Sequence, residues 1–344
     1  MKKFFLRAGR LCLSVLISLA LLSAFCLVFN YTGCHISNPS GSTDYKWESR
    51  QFFSTMKEGL SWFRFDKNGF NNTDDTPFDE KPVDILLMGS SHMEGVNLPK
   101  DKNVGHLLNE YLPGMRTYNI GVSSHGIYTN VRNMKTACAE FSPRAYVVLE
   151  ANFVTLNAEK MKQVISGDYP DIESHDSGLM YRIQKTVPAV KSLYKSLTEW
   201  KDVSSFSGAG SDNAEKTSAA SAPDYAKTLN SFLALAASQV PEGRKLIIFF
   251  HPETYINGHG GFETRTDEND LALFDKCCRE NGIIFIDETE ASKELYLEKN
   301  ILAHGFVNTA VGYGHLNEEG HRVIAQSVAG AIKKDTEVKV YDAE

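Results

Sequence analysis

The 344-residue chain has no surplus of positive charge, no paired-cysteine pattern and no cysteine and histidine cluster at metal-ligand spacing. Its 36 Lys and Arg against 43 Asp and Glu give a net charge of −7. Four of those cations (Lys2, Lys3, Arg7 and Arg10) precede residue 11, so the body that follows is more acidic still. An acidic body is repelled by phosphate backbones and anionic headgroups, which argues against nucleic acid or anionic lipid as the main ligand. The six cysteines do not read as a disulfide framework. Cys12, Cys26 and Cys34 lie in or near an N-terminal apolar segment, Cys138 falls in a helical stretch, and Cys277 and Cys278 are adjacent, a poor placement for bridging each other. They read as buried or idle thiols. No metal and no other cofactor is expected. Internal repeats are also absent.

One long hydrophobic run is present. Leu11 to Phe29 is an uncharged stretch of 19 residues behind the four basic ones. At 1.5 Å per residue it spans about 28 Å, close to a bilayer core of about 30 Å. Its positive flank puts residues 1–10 in the cytoplasm and everything after residue 29 outside. No small-residue cleavage site ends the run, so it reads as a signal anchor over residues 11–29 rather than a cleaved signal peptide. Tyr31-Thr32-Gly33-Cys34 is an imperfect lipobox, which keeps lipidation open as an alternative.

Residues 30–80 are polar with scattered aromatics and read as a stalk and lead-in that partly packs on the domain. A regular alternation then begins. Val83–Met88, Thr117–Ile120, Ala145–Leu149, Lys245–Phe250 and Ile283–Ile286 have strand patterns. Val104–Tyr111, His125–Glu140, Ala226–Ser238, Asp270–Glu280 and Glu318–Lys333 have helical ones. Strands alternating with helices predict an α/β domain over residues 81–335, with a parallel sheet covered on both faces. Residues 336–344 form a C-terminal tail. Around residues 155–225 the alternation breaks, and Ser204 to Ala222, rich in Ser, Ala and Gly, reads as a flexible loop. It is either a rim for a site or a surface insertion without function.

In open α/β sheets ligands bind at the carboxyl ends of the strands. Met88-Gly89-Ser90-Ser91-His92 ends the first strand, Asn119-Ile120-Gly121-Val122-Ser123-Ser124-His125 the second, and Leu149-Glu150-Ala151-Asn152 the third. Each alone is an ordinary turn or cap. Gly314-His315-Leu316-Asn317-Glu318-Glu319-Gly320-His321 precedes the last helix. A reactive hydroxyl needs a base within about 2.6–3.2 Å and donors for an oxyanion, and these four segments offer such parts in order. His251 in Phe250-His251-Pro252-Glu253 and His92 are candidate substrate contacts, and His125 is a candidate for the same pocket. His321 reads as structural, and Asp267 and Asp287 as helix-flanking or turn residues.

Gly-x-Ser after the first strand, Asn-x-Gly after the second, Asn after the third and His-Leu-Asn-x-x-Gly-His before the last helix together resemble the SGNH/GDSL hydrolase family over about residues 82–335. The resemblance implies a flavodoxin-like three-layer α/β/α fold and a metal-free serine mechanism. Ser91 would be the nucleophile and His315 the general base. The backbone N–H of Ser91, a group near Ser124 and the side chain of Asn152 would form the oxyanion hole, with Gly121 or Gly126 instead of Ser124 if the loop is shifted. Two positions depart from the pattern: Gly312 stands where the family has an Asp three residues before its His, and Ser90 where Asp is common. An imidazole needs a group that fixes its tautomer, and Glu150 or a main-chain carbonyl is the candidate for it. The Gly-Ser-Ser variant more distantly resembles the membrane-anchored branches that modify cell-envelope polymers, including alginate O-acetylation and D-alanyl transfer proteins.

The expected function is an extracytoplasmic esterase or O-acyltransferase acting through a Ser91 acyl-enzyme on an acetylated envelope glycan or small ester. A transferase would need a membrane protein to deliver its acyl donor. The alternative is a catalytically silent glycan-binding or assembly protein with the same fold, for which Gly312 is the best support. A generic lipase or peptidase ranks lower, because the polar insertion suits a hydrophilic substrate.

Overall fold

The computed structural model describes residues 2–31, 33, 35–38, 41–56, 58–172, 187, 189 and 223–341. The N-terminal apolar run is one continuous helix, α1 (Lys2–Phe29). Within Lys3–Phe29 the most apolar 18-residue window has a mean hydropathy of 2.7, and only 6% of it is buried against protein. By length and composition it can cross a membrane.

Five short strands follow: β1 (Asn30–Tyr31), β2 (His35–Ser37), β3 (Tyr45–Trp47), β4 (Phe52–Thr55) and β5 (Ser61–Arg64). β1, β4 and β5 form an antiparallel sheet with β4 in the middle, and β2 pairs with β3. Residues 30–80, expected as a partly packed stalk, fold against the domain through much of their described length. Trp47, Phe53, Phe63 and Phe65 bury one another and Val96, with Trp47 stacked on Phe65 at 4.7 Å. Asp66 accepts the Tyr118 hydroxyl proton at 2.6 Å. The Asn72 amide accepts the Asn119 backbone N–H at 2.8 Å and donates to the Asn119 carbonyl at 2.9 Å, so it pairs like a further strand.

The main sheet has five parallel strands: β6 (Ile85–Met88), β7 (Thr117–Asn119), β8 (Tyr146–Ala151), β9 (Lys245–Phe250) and, after the hairpin β10 (Thr254–Ile256) and β11 (Phe262–Thr264), β12 (Ile284–Asp287). Their spatial order is β12-β9-β8-β6-β7. The helices are α2 (Ser91–Glu94), α3 (Val104–Tyr111), α4 (Ile127–Phe141), α5 (Ala158–Ser166), α6 (Pro223–Gln239), α7 (Glu268–Glu280), α8 (Thr289–Lys299) and α9 (Glu318–Tyr341). Alternate strand residues feed opposite cores. Leu86, Met88, Val147, Leu149, Ile248 and Phe250 pack with α4, α5, α6 and α7, whereas Ile85, Leu87, Val148, Ile247 and Phe249 pack with α3 and α9. Each fully buried Leu, Ile or Phe contributes roughly 1.5–3 kcal/mol of transfer free energy. Both faces are thus covered, as the near-continuous apolar strands require, and the predicted three-layer α/β/α architecture is the one observed. α5 lies inside the stretch expected to be irregular and buries Met161 and Val164. The predicted loop Ser204–Ala222 lies outside the described residues.

β7 lies on one side of β6 and β8 on the other. The chain therefore reverses its winding between β6 and β8. Their carboxyl ends bound the crevice where such sheets bind ligands.

Candidate active site

β6 ends at Met88, Gly89 makes the turn, and Ser90 caps the short helix α2 that Ser91 opens. Beneath this turn lies Glu150, the fifth residue of β8, 1% exposed. Its carboxylate accepts the Ser90 N–H at 2.8 Å, the Ser90 hydroxyl at 2.7 Å and the Met93 N–H at 3.1 Å. Gly89 is required by that approach, since a Cβ there would lie 2.3 Å from Glu150 Oε2. The His92 N–H goes to Ser90 Oγ at 3.3 Å. Among the described residues the Ser91 N–H meets no protein acceptor. The first helical N–H groups carry partial positive charge, so this one is available to a developing oxyanion. Burial alone would raise the Glu150 carboxyl, but hydrogen bonds from His251 and Ser90 hold it below its ordinary value.

Strand register sets the neighbours of Ser91. Met88 pairs with Leu149, so Asn152 stands three residues past that pair, level with Ser91, and is half-buried. Leu87 pairs with Asn119. The loop beyond β7 carries Ser124 in the left-handed region at φ 66°, exposed. Gly121 is buried and its N–H is taken by Asn119 Oδ1 at 2.8 Å, so it has none to offer a ligand. Asn119 Nδ2 in turn donates to the Met93 carbonyl at 2.7 Å, fixing α2 from the β7 side.

His315 lies in the loop before α9, its side chain about one-third exposed. Its Nδ1 is 2.6 Å from Glu58 Oε2, and its backbone N–H donates to Glu58 Oε1 at 2.6 Å. A carboxylate only accepts, so Nδ1 bears the proton and Nε2 is left as a base. The carboxylate on His315 is therefore not Glu150, the sequence candidate, which is fully engaged under α2. Glu58 comes from the turn between β4 and β5. That turn is clamped by Asn308, whose amide donates to the Met56 carbonyl at 2.7 Å and the Gly59 carbonyl at 3.0 Å and accepts the Gly59 N–H at 2.9 Å. Gly314 takes φ 92°, and a Cβ on it would lie 2.1 Å from Glu58 Oε1. The Gly-x-Gly before His315 thus admits a carboxylate from elsewhere, where the family pattern would supply one at position 312.

The ring of His92, the residue after Ser91, links the two halves. It lies 5.2 Å from the His315 ring, 4.8 Å from His251 and 5.6 Å from His304 between centroids. The Leu316 N–H donates to His92 Nδ1 at 3.3 Å. His251, directly after β9, places Nε2 3.2 Å from Glu150 Oε1 and Nδ1 3.2 Å from His304 Nε2. Burial, with the neighbouring imidazoles, holds His92 well below its ordinary value and pushes His304 down to about 3. His92, His251 and His304 bring one nitrogen each within 4.8 Å of one another, a donor set that could hold a divalent transition metal. Cysteine and histidine spacing gave no sign of it, because the three rings come from separate segments.

Other sequence candidates lie elsewhere. His125 is buried, with Nε2 accepting the Asp44 N–H at 3.1 Å. His321 is buried in α9 and accepts the Val104 N–H at 3.2 Å; burial pushes it down to about 3. Asp267 caps α7, and Asp287 accepts from Thr289. Sequence reasoning missed Glu58, His304 and Glu94. The last is buried and accepts from Trp47 Nε1 at 2.5 Å and from the Ser123 N–H at 3.0 Å. Burial raises its carboxyl above the ordinary value.

Fold and site together define an α/β protein in which the turn bearing Ser91 and His92 lies at the switch point of a parallel sheet, with the His315–Glu58 pair against the His92 ring. No family model matches the chain, and no curated protein matches it. Several solved structures are similar in part. An acetyl xylan esterase is 15% identical, over 73% of this chain and 100% of its own, with a TM-score of 0.40. The catalytic domain of Streptococcus pneumoniae peptidoglycan O-acetyltransferase A is 14% identical, over 74% of this chain and 96% of its own, with a TM-score of 0.35. A lipolytic G-D-S-L family member from Veillonella parvula is 15% identical, over 71% and 95%, with a TM-score of 0.36. Identities and TM-scores this low assign no activity or substrate to the chain.

Proposed function

We propose that this protein is a membrane-anchored serine esterase or O-acyltransferase of the SGNH type, acting outside the cytoplasm on an acetylated envelope glycan. The observation that carries the reading is Glu58 on His315 Nδ1 at 2.6 Å, on the loop whose Leu316 N–H holds His92 beside Ser91. In the proposed reaction His315 Nε2 removes the Ser91 proton as Oγ attacks the ester carbonyl. The Ser91 N–H, with Asn152 and a donor near Ser124, receives the oxyanion. The leaving alcohol takes the proton from His315, and water or a sugar hydroxyl then attacks the acyl-enzyme. Water gives an esterase and the sugar a transferase.

The apolar helix α1 and its basic flank support the anchor and its orientation. The resemblance of the sequence blocks supports the acyl chemistry, and the acidic, polar body suits a hydrophilic substrate. The silent-binder alternative rested on Gly312, and Glu58 supplies the carboxylate that Gly312 does not. The full chain in detergent should turn over p-nitrophenyl acetate and be labelled at Ser91 by a fluorophosphonate, both lost in Ser91→Ala. A wild-type protein inert to both reagents would overturn the reading.

A further inference from the structure

The chain leaves α1 at Phe29 and pairs at once with β4, Asn30 opposite Thr55. Thr55 is the end of β4 that enters the β4–β5 turn, so the turn lies at the same end of this sheet as the helix. Two hydrogen bonds fasten that end to α1: Ser54 Oγ donates to the Leu27 carbonyl at 2.9 Å, and Trp62 Nε1 donates to the Val28 carbonyl. Glu58 is three residues past Thr55, within roughly 10 Å of it at about 3.3 Å per residue. The group that holds His315 is therefore next to the point where the chain leaves the apolar helix.

The same end of the molecule is apolar. Met56, Leu60 and Trp62 of the hairpin are exposed, and so are Val307, Val311 and Tyr313 of the loop before α9. The two segments form one lip, because Asn308 is bonded to Met56 and Gly59 and His315 to Glu58. Val311 is 72% and Tyr313 63% exposed, although large apolar groups massed on a surface usually mark an interaction site. Trp62 and Tyr313 are the residue types that settle at the headgroup level, with ring in apolar and polar tip in wet surroundings.

The geometry points to a bilayer-docking lip: Met56, Leu60, Trp62, Val307, Val311 and Tyr313 seat on the surface of the membrane that α1 spans, and the mouth beside His315 faces that surface. The occupant is the bilayer because the lip is continuous with the membrane helix itself. The body is acidic, so docking is by apolar burial and does not need anionic lipid. Resting on the proposed function, the acyl donor or acceptor reaches Ser91 as a membrane-borne molecule, such as a lipid-linked glycan or a group presented by a membrane protein.

The test uses the full chain, with Cys12 and Cys34 replaced by Ser, in phosphatidylcholine nanodiscs at one copy per disc. An environment-sensitive dye is placed at Val311→Cys or at Glu280→Cys, the latter at the exposed end of α7 that leads into the amino end of β12, away from the carboxyl strand ends that bear the site. Brominated phosphatidylcholine should quench the Val311 dye several-fold more than the Glu280 dye. Equal quenching at the two positions, in protein whose circular dichroism matches wild type, would overturn the proposal. Fluorophosphonate labelling of Ser91 in the same discs separates this outcome from failure of the catalytic reading, since docking does not require a reactive serine.

Discussion

Glu150 and Glu58 serve the two halves of the candidate site from contrasting structures. Glu150 is built into a central strand, 1% exposed, and holds the Ser90–Met93 turn through three donors while His251 stands on its other side. Glu58 sits in the turn of the β4–β5 hairpin, its side chain 20% exposed, and holds a partly exposed imidazole. The turn that bears Ser91 is thus made by the same packing that makes the sheet. The His315–Glu58 pair forms only where a separate hairpin meets the loop before α9. Stability and activity should therefore divide between the two carboxylates.

The largest effect expected is on the serine itself. Ser91→Ala should lower p-nitrophenyl acetate turnover by roughly 1,000-fold or more in steady-state assays, with unfolding unchanged. Next comes the division between the acids. Glu150→Ala strands buried donors and should cost about 3–5 kcal/mol in denaturant unfolding, whereas Glu58→Ala, which removes a partly exposed pair, should cost about 1 kcal/mol or less. Equal costs would erase the contrast. Asn308→Ala frees the β4–β5 turn from its clamp and should reduce turnover roughly ten- to a hundredfold, with little change in melting temperature.

Acid separates the halves more gently. The Glu150 carboxyl is held below its ordinary 4.5, so its contribution to stability is full above pH 4.5 and declines as the pH falls below it. A melting series from pH 7 to pH 3 should show an acid decline that Glu150→Gln flattens and Glu58→Gln retains. The smallest effect is a null one. Extended dialysis against a chelator should leave turnover unchanged, because no proposed step passes through His92, His251 and His304. A loss restored by Zn(II) would move the chemistry to those rings.

The sequence displayed one half of the site far better than the other. Lys245–Phe250 and Val104–Tyr111 were delimited as they stand, since unbroken apolar strands and amphipathic helices announce themselves by period. Ser91 and Asn152 stood out as candidates because strand ends concentrate chemistry in this class of sheet, and His315 because of the block before the last helix. Strands of two to four residues such as β1, β4 and β5 are too short to show a period, so the hairpin carrying Glu58 read as a stalk. Glu58 is 257 residues from His315, and no spacing rule reaches that far. Gly312 and Gly314 were the one local sign, an opening where a carboxylate was expected. His304 likewise joins the cluster only through folding, as its partners are His92 and His251.

The most direct test of the account is the rate at which p-nitrophenyl acetate acylates Ser91 in Glu58→Gln, measured by rapid quench and intact-protein mass spectrometry on the full chain in detergent. Glutamine keeps the shape of the turn but cannot stabilise the imidazolium. The account predicts acylation at Ser91 slowed by roughly 100- to 10,000-fold, with the melting temperature close to wild type. An unchanged acylation rate in the folded variant would contradict it.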